Sequence, residues 1–151
     1  MELNEFLIKA KKSTYASSGE GGEKKLEDGT RELVFEEGEF KYRDRYFGFN
    51  PFIGQEVVWK NGKVIWVMNY WGSIFKDTVS PKEVYEFLKK ALLQPDKLLP
   101  IRGPEKFEEG DFHYRNVGGG DLDNFQHVEV ILYKGERVYE LACHGCTIKI
   151  M

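Results

Sequence analysis

The chain has 151 residues, enough to bury a core as one domain without disulfides or metal as supports. Its formal charge is −3 with no block of basic residues, which disfavours non-specific binding to nucleic acid. The sequence contains no run of about 20 apolar residues, so no membrane span is predicted. Only two cysteines occur and no secretion signal is evident, so we expect a cytoplasmic protein.

The first predicted element is an amphipathic helix. Leu3, Phe6, Leu7 and Ala10 follow the spacing at which apolar side chains share one helix face. Residues 17–25 are polar and rich in glycine, and they lack the spacing of a phosphate-binding loop. We therefore expect a surface loop between the helix and the strands that follow.

A β-hairpin is predicted at Asn61-Gly62, because both residue types tolerate the positive φ angles of a tight turn. With these as the two loop residues, Lys60 pairs with Lys63, Trp59 with Val64 and Val57 with Trp66. The core-facing side of the sheet is then predicted to include Val57, Trp59, Trp66, Met68 and Tyr70. The opposite side carries a mixture of polar and apolar residues, and such a face often lines a cavity or an interface.

The second predicted helix runs from about Pro81 to Leu93. Ser80 and Glu83 form a capping-box pattern, with proline at the first helical position. Pro95 marks the end of the helix, and Pro100 and Pro104 mark an extended link to a second set of strands.

Internal repetition is the strongest signal of architecture in the sequence. Residues 5–10 resemble 86–91, and residues 36–43 match 108–115 at six of eight positions. Residues 56–62 resemble 129–135 more weakly. The prediction is a single α+β domain over residues 1–151, a tandem repeat of a helix followed by antiparallel strands, with halves near 1–76 and 77–151. A curved antiparallel sheet would pack on two helices, as one continuous sheet or as two facing sheets.

Two acidic residues at matching positions, Glu56 and Glu129, are candidate catalytic groups, because paired carboxylates can divide acid and base roles. His144 is the candidate general base, so these three side chains are predicted to converge if the protein is an enzyme. The simpler interpretation is that each glutamate forms a structural ion pair near Arg43 or Arg115.

Aromatic residues make up 15% of the chain and suggest a ligand-binding surface. Arginine and aromatic side chains together suit a planar or anionic ligand. The candidate ligand-binding residues are Tyr42, Arg43, Glu56, Asn69, Trp71, Tyr133 and His144, with Arg45 and Tyr46 as further members of the patch.

The cluster of Cys143, His144 and Cys146 is a weak candidate for a metal site. A structural zinc site normally has two separate ligand pairs, and only one CxxC is present. The first half has tyrosine and tryptophan at the equivalent positions, so the sequence predicts no metal and no cofactor.

The chain resembles the prokaryotic family catalogued as domain of unknown function 5680. The resemblance rests on residues 52–59 and 62–72, with the strings GQEVVW and MNYWG, and on residues 107–114 and 138–145. It implies no activity. In some members the domain follows a helix-turn-helix, which implies effector sensing or interaction. This chain begins at the first predicted helix, so no DNA-linked role is expected.

Together these features predict a non-enzymatic module that binds a small molecule or a protein partner on the mixed sheet face. The alternative is a small-molecule enzyme that uses Glu56, Glu129 and His144 in acid-base chemistry. A third hypothesis is a homodimer that uses the same face.

Overall fold

A computed structural model describes residues 1–14 and 23–149 of the chain. The elements of the first half are α1 (Leu3–Ser13), β1 (Lys24–Lys25), β2 (Arg31–Glu37), β3 (Phe40–Gly48), β4 (Phe52–Lys60) and β5 (Lys63–Ile74). Those of the second half are α2 (Pro81–Leu92), β6 (Lys106–Glu109), β7 (Phe112–Asp121), β8 (Asn124–Tyr133) and β9 (Glu136–Thr147). Residues 17–22 of the predicted loop lie outside the described residues. At its end, Lys24–Lys25 forms a short strand instead of a loop.

The nine strands of the described residues form one open antiparallel sheet in the order β1-β2-β3-β4-β5-β9-β8-β7-β6. One continuous sheet is therefore present, and the alternative of two facing sheets is wrong. Strands β5 and β9 meet at its centre, where Tyr70 lies opposite Cys143. Neither helix is long and apolar enough to cross a membrane within the described residues.

Both helices bury one apolar side, as their spacing predicts. Phe6 of α1 stacks on Phe40 of β3 with ring centroids 4.8 Å apart, and Phe87 of α2 stacks on Phe112 of β7 at the same distance. The predicted capping box at Ser80 and Glu83 is present, so the side chain and backbone of these residues satisfy each other's hydrogen bonds. The helix ends at Leu92, one residue before the predicted end.

The predicted hairpin forms at Asn61 and Gly62, whose φ angles are 50° and 78°. Lys60 pairs with Lys63 and Trp59 pairs with Val64, as predicted. The predicted pairing of Val57 with Trp66 is wrong, because a β-bulge shifts the register between Val58 and Trp59. One extra residue enters the ladder there, so the residues beyond it change sides.

The bulge moves Glu56 and Val58 to the side of the sheet that carries Trp66 and Met68. Val58 lies opposite Trp66, and Glu56 lies opposite Met68. Directly opposed residues of an antiparallel pair project from the same face. A second register shift between Ile131 and Leu132 has the same effect on Glu129, which lies opposite the buried Leu141.

The two sides of the sheet differ in burial, and we name them the helix face and the open face. The helix face carries the fully buried aromatic residues Tyr42, Trp66, Tyr114 and Tyr139, which join one core with the apolar residues of both helices. The open face carries large apolar side chains that stay exposed, among them Ile53 and Trp71.

Candidate ligand-binding cavity

Glu129 is the centre of a buried polar cluster on the helix face, in the second half of the sheet. Its two carboxylate oxygens accept hydrogen bonds from the Arg102 guanidinium, at 3.0 Å from Nε and 2.8 Å from Nη2. The hydroxyls of Tyr114 and Tyr139 also donate to this carboxylate, at 2.5 and 2.7 Å. Because the charge is fully buried, this complete set of partners is what makes its burial tolerable.

Glu56 occupies the corresponding place in the first half and has a different cation. The Lys11 ammonium of α1 lies 3.1 Å from Glu56 Oε1, and Lys11 also donates to the backbone carbonyl of Ile101. Both side chains are more than nine-tenths buried. The prediction that the glutamates form structural ion pairs agrees with this geometry, but their cations are Lys11 and Arg102 rather than Arg43 and Arg115.

Asp44 lies directly opposite Glu56 in the pairing of β3 with β4. Its carboxyl is 2% exposed and accepts a hydrogen bond of 2.5 Å from the Tyr70 hydroxyl. Burial, with the negative charge of Glu56 beside it, raises the pKa of Asp44 from 3.8 to about 8. The hydrogen bond from Tyr70 opposes this shift, and so do the charges of Arg102 and Lys11. Asp44 is therefore protonated at neutral pH.

Asp44 and Tyr70 line a cavity of about 430 Å³ that we name the aromatic cavity. It lies between α2 and the helix face of the first half, and the described part of its wall includes five aromatic side chains. Phe49 packs edge-on against Tyr85 with ring centroids 5.1 Å apart, and Phe52 lies 6.1 Å from Tyr85. The other lining residues, among those that the structure describes, are Glu23, Arg31, Tyr46, Gly48, Lys82, Glu86, Lys89 and Arg102.

The three candidate catalytic residues do not converge. Glu56 and Glu129 are on the helix face, whereas His144 lies opposite Asn69 on the open face. The Asn69 amide nitrogen is 3.2 Å from His144 Nε2, and Gln55 donates to the Asn69 carbonyl oxygen at 2.9 Å. The predicted convergence is therefore wrong, because the β-bulges place both glutamates on the side of the sheet away from His144.

The candidate ligand-binding residues are divided between the two faces, because adjacent strand residues such as Tyr42 and Arg43 alternate sides and the bulge places Glu56 on the helix face. Arg43, Asn69, Trp71 and His144 lie on the open face, where the Arg43 guanidinium is 4.8 Å from the Trp59 ring. Tyr42 and Glu56 are buried on the helix face. Tyr133 packs on Phe112 at 4.9 Å, beside the contact with α2. The predicted patch of Tyr42, Arg43, Arg45, Tyr46 and Trp71 is thus not one surface.

An apolar row crosses the open face through six neighbouring strands. Its members lie opposite one another in the ladders, and five of them are at least 39% exposed. In strand order from β3 to β7 they are Phe47, Ile53, Trp71, Ala142, Val128 and Val117. The mixed face predicted from the sequence therefore exists, with a membership altered by the bulges.

The side chains of Cys143 and His144 project from opposite faces of β9, so the predicted cluster is not one site. Cys143 is buried on the helix face, and burial raises the pKa of its thiol to about 11. His144 projects to the open face, since successive residues of a strand alternate sides. Among residues 1–14 and 23–149, no group of three or more histidine, cysteine or acidic side chains could hold a metal ion. Both cysteines are free thiols.

No motif in the sequence predicts the aromatic cavity. The string Tyr42-Arg43-Asp44 is similar to Tyr114-Arg115-Asn116 in the second half. The change of Asp44 to an asparagine at the matching position was the available signal. This difference becomes informative only when Glu56, the cross-strand partner of Asp44, is known to project from the same face of the sheet.

The fold and the cavity define an open antiparallel-sheet domain that buries ionisable groups beside an aromatic pocket. The chain belongs to the family described as "Domain of unknown function (DUF5680)", whose model matches residues 44–148. The predicted family is thus confirmed. Comparison with curated proteins and with solved structures gave no match.

Proposed function

We propose that this domain binds a small organic molecule in the aromatic cavity. The observation that carries the proposal is the buried Asp44 carboxyl at the wall of a cavity of about 430 Å³. Small-molecule sites are typically concave, mostly apolar and supplied with a few polar groups, and shifted pKa values concentrate in them. The cavity has all of these properties.

The experiment is a thermal-shift screen of metabolites, followed by ligand-observed NMR on each compound that stabilises the protein. Lys89→Trp places a bulky ring at a lining position of the cavity. Lys90→Trp is the matched control, because Lys90 is the next residue of α2 and pairs with Glu109 away from the cavity. We expect binding to survive in K90W and to be lost in K89W. Hits that bind both variants equally would contradict the cavity as the site.

An enzyme using acid-base chemistry is the second candidate, and Asp44 supports it. A carboxyl with a pKa of about 8 beside a cavity can both donate and accept a proton near neutral pH. Turnover of a screening hit that disappears in Asp44→Asn, with binding retained, would favour the enzyme over the simple binding module. Binding without turnover in the wild-type protein would count against it.

The open face is a candidate for contact with a protein partner or with a second copy of the chain. Its support is the exposed apolar row, because contiguous exposed apolar surface often marks an interaction site. The two free thiols support the expectation of a reducing, cytoplasmic location.

We also infer that the two halves arose from one duplicated unit. Several positions with irregular register or positive φ support this inference, because they recur at the same spacing in the two halves. The register shifts after Val58 and Ile131, and the left-handed turn residues Asn61 and Lys134 follow them. An alignment of relatives should preserve both sets of positions at the same spacing. Spacings that vary independently in the two halves would contradict a common origin.

A further inference from the structure

Among residues 1–14 and 23–149, four carboxyl side chains on this side of the sheet are almost fully buried, those of Glu23, Asp44, Glu56 and Glu129, and three of them have a cation at ion-pair distance. Glu56 is matched by Lys11 and Glu129 by Arg102, at 3.1 and 2.8 Å. Within residues 1–14 and 23–149, no cationic side chain lies at ion-pair distance from Asp44. A buried carboxylate without a cation is costly, so Asp44 keeps its proton. The cluster is thus one positive charge short of supporting Asp44 in its ionised form.

Aromatic rings line the cavity beside Asp44, where a bound ligand could supply the missing positive charge. Phe52 lies 5.9 Å from Tyr70, whose hydroxyl is bonded to Asp44, and 6.1 Å from Tyr85 on the helix. Ring faces attract organic cations, and the attraction grows when the cation is removed from water. A carboxyl beside several rings is therefore a chemical match for an ammonium group attached to a hydrocarbon body.

From this juxtaposition we propose that the ligand of the aromatic cavity is an organic ammonium compound. Its ammonium group pairs with Asp44, and its hydrocarbon body packs against Phe52 and Tyr85. This inference rests on the proposed function and specifies the chemistry of the ligand.

The cations around the cavity mouth do not favour an anionic ligand instead. Arg31 is paired with Glu23 at 2.7 Å, and Lys82 lies 4.0 Å from Glu86 with its side chain 85% exposed. Exposed charges are weakened by water and salt, whereas charges in the interior are much less screened. Inside the cavity the buried Arg102 is already paired with Glu129 at 2.8 Å, so its charge is balanced before any ligand binds.

Binding of an ammonium ion should release the proton of Asp44. The free carboxyl is protonated at neutral pH, and the ion pair needs its ionised form. Tyr70 and the charged groups around Asp44 set this equilibrium together. Those from the packed elements are Lys11, Glu23, Arg31, Tyr42, Tyr46, Glu56, Lys82, Tyr85, Glu86, Lys89 and Arg102.

The test compares three probes of similar shape and different charge. Phenethylamine is the cation, 2-phenylethanol the neutral analogue and phenylacetate the anion, each titrated by NMR and calorimetry. We expect phenethylamine to bind at least about tenfold more tightly than either analogue at pH 8. Its affinity should rise about twentyfold between pH 6.5 and 8.5, because the fraction of ionised Asp44 rises by that factor.

Asp44→Asn is the decisive variant, because it preserves the shape of the side chain and removes its charge. We expect it to lose both the preference for the amine and the pH dependence, while Asp111→Asn, at an exposed position, retains them. Tighter binding of 2-phenylethanol or phenylacetate would overturn the ammonium inference and leave the cavity as a binding site. No binding by any probe, together with no cavity-dependent hit in the metabolite screen, would overturn both proposals.

Discussion

The Tyr70 hydroxyl donates a 2.5 Å hydrogen bond to the Asp44 carboxyl across the first half of the sheet. Neither residue has an identical counterpart in the second half, where Cys143 and Asn116 stand at the matching positions. The second half instead gathers its buried hydroxyls around Glu129, which already has a cation. The first half thus buries a carboxyl without a cation, whereas the second half buries one that is paired.

Replacing Asp44 with asparagine should stabilise the folded protein above about pH 4. The carboxyl ionises near 3.8 when unfolded but near 8 when folded, so its contribution to stability is full at low pH and is lost as the pH rises to about 8. The gain in the free energy of unfolding of D44N over wild type should therefore grow across this range, to a few kcal/mol on an order-of-magnitude scale. Urea unfolding at several pH values measures it. A gain that is independent of pH would contradict the shifted pKa.

Replacing Glu129 with glutamine should destabilise the protein by about 3 to 5 kcal/mol, because the buried Arg102 guanidinium loses its counter-charge. Glu109→Gln is the matched control, since its pair with Lys90 is half exposed and contributes less than about 1 kcal/mol. Chemical denaturation of both variants makes the comparison. Equal effects would show that the Glu129 cluster contributes no more than a surface pair.

Gly54→Ala should disturb the hydrogen bond between Tyr70 and Asp44. A Cβ atom at position 54 would lie 2.5 Å from the Tyr70 hydroxyl and 2.5 Å from the backbone oxygen of Arg45, so the structure must shift. Gly119→Ala is the control, because no atom lies within 4 Å of its added Cβ. We expect G54A alone to lower the melting temperature and to displace the Tyr70 ring resonances in NMR spectra. Unchanged resonances in G54A would contradict the contact.

Two tryptophans distinguish the faces of the sheet. Trp66 is fully buried on the helix face, and its replacement by alanine should cost about 3 to 5 kcal/mol. Trp71 is 39% exposed on the open face, and its replacement should cost clearly less, about 1 kcal/mol. Guanidinium unfolding monitored by circular dichroism measures both. A loss for W71A that matched W66A would mean that the open face is covered in solution.

The elements that depend on local sequence signals form where the sequence predicts them. The capping box at Ser80 and the turn at Asn61-Gly62 depend on residues near one another in the chain, so both could be predicted. The β-bulges could not, because an inserted residue leaves no change in the alternation of a strand whose two sides are both partly apolar. The resulting error in register moved Glu56 and Glu129 to the wrong face and concealed the relation of Asp44 to Glu56.

The cavity could not be predicted from the sequence either, for a different reason. It is assembled by α2 lying over strands of the first half, which brings Tyr85 to Phe52 and Phe49. Amphipathic spacing predicts that Val84 and Phe87 are buried, but it does not say against which strands the helix packs. The difference between Asp44 and Asn116 therefore could not be interpreted from the sequence.

The central pairing of β5 with β9 has a consequence for how the chain reaches its folded state. Strands β2 to β5 follow one another through short turns and can associate as soon as they are synthesised, whereas β5 must wait for β9, with Ile74 joining Tyr139 and Trp66 joining Thr147. Such distant closure is slow, because a large loop must be ordered first. Until then β5 presents unpaired backbone groups to other chains. Docking of β9 is thus the step at which correct folding competes with aggregation.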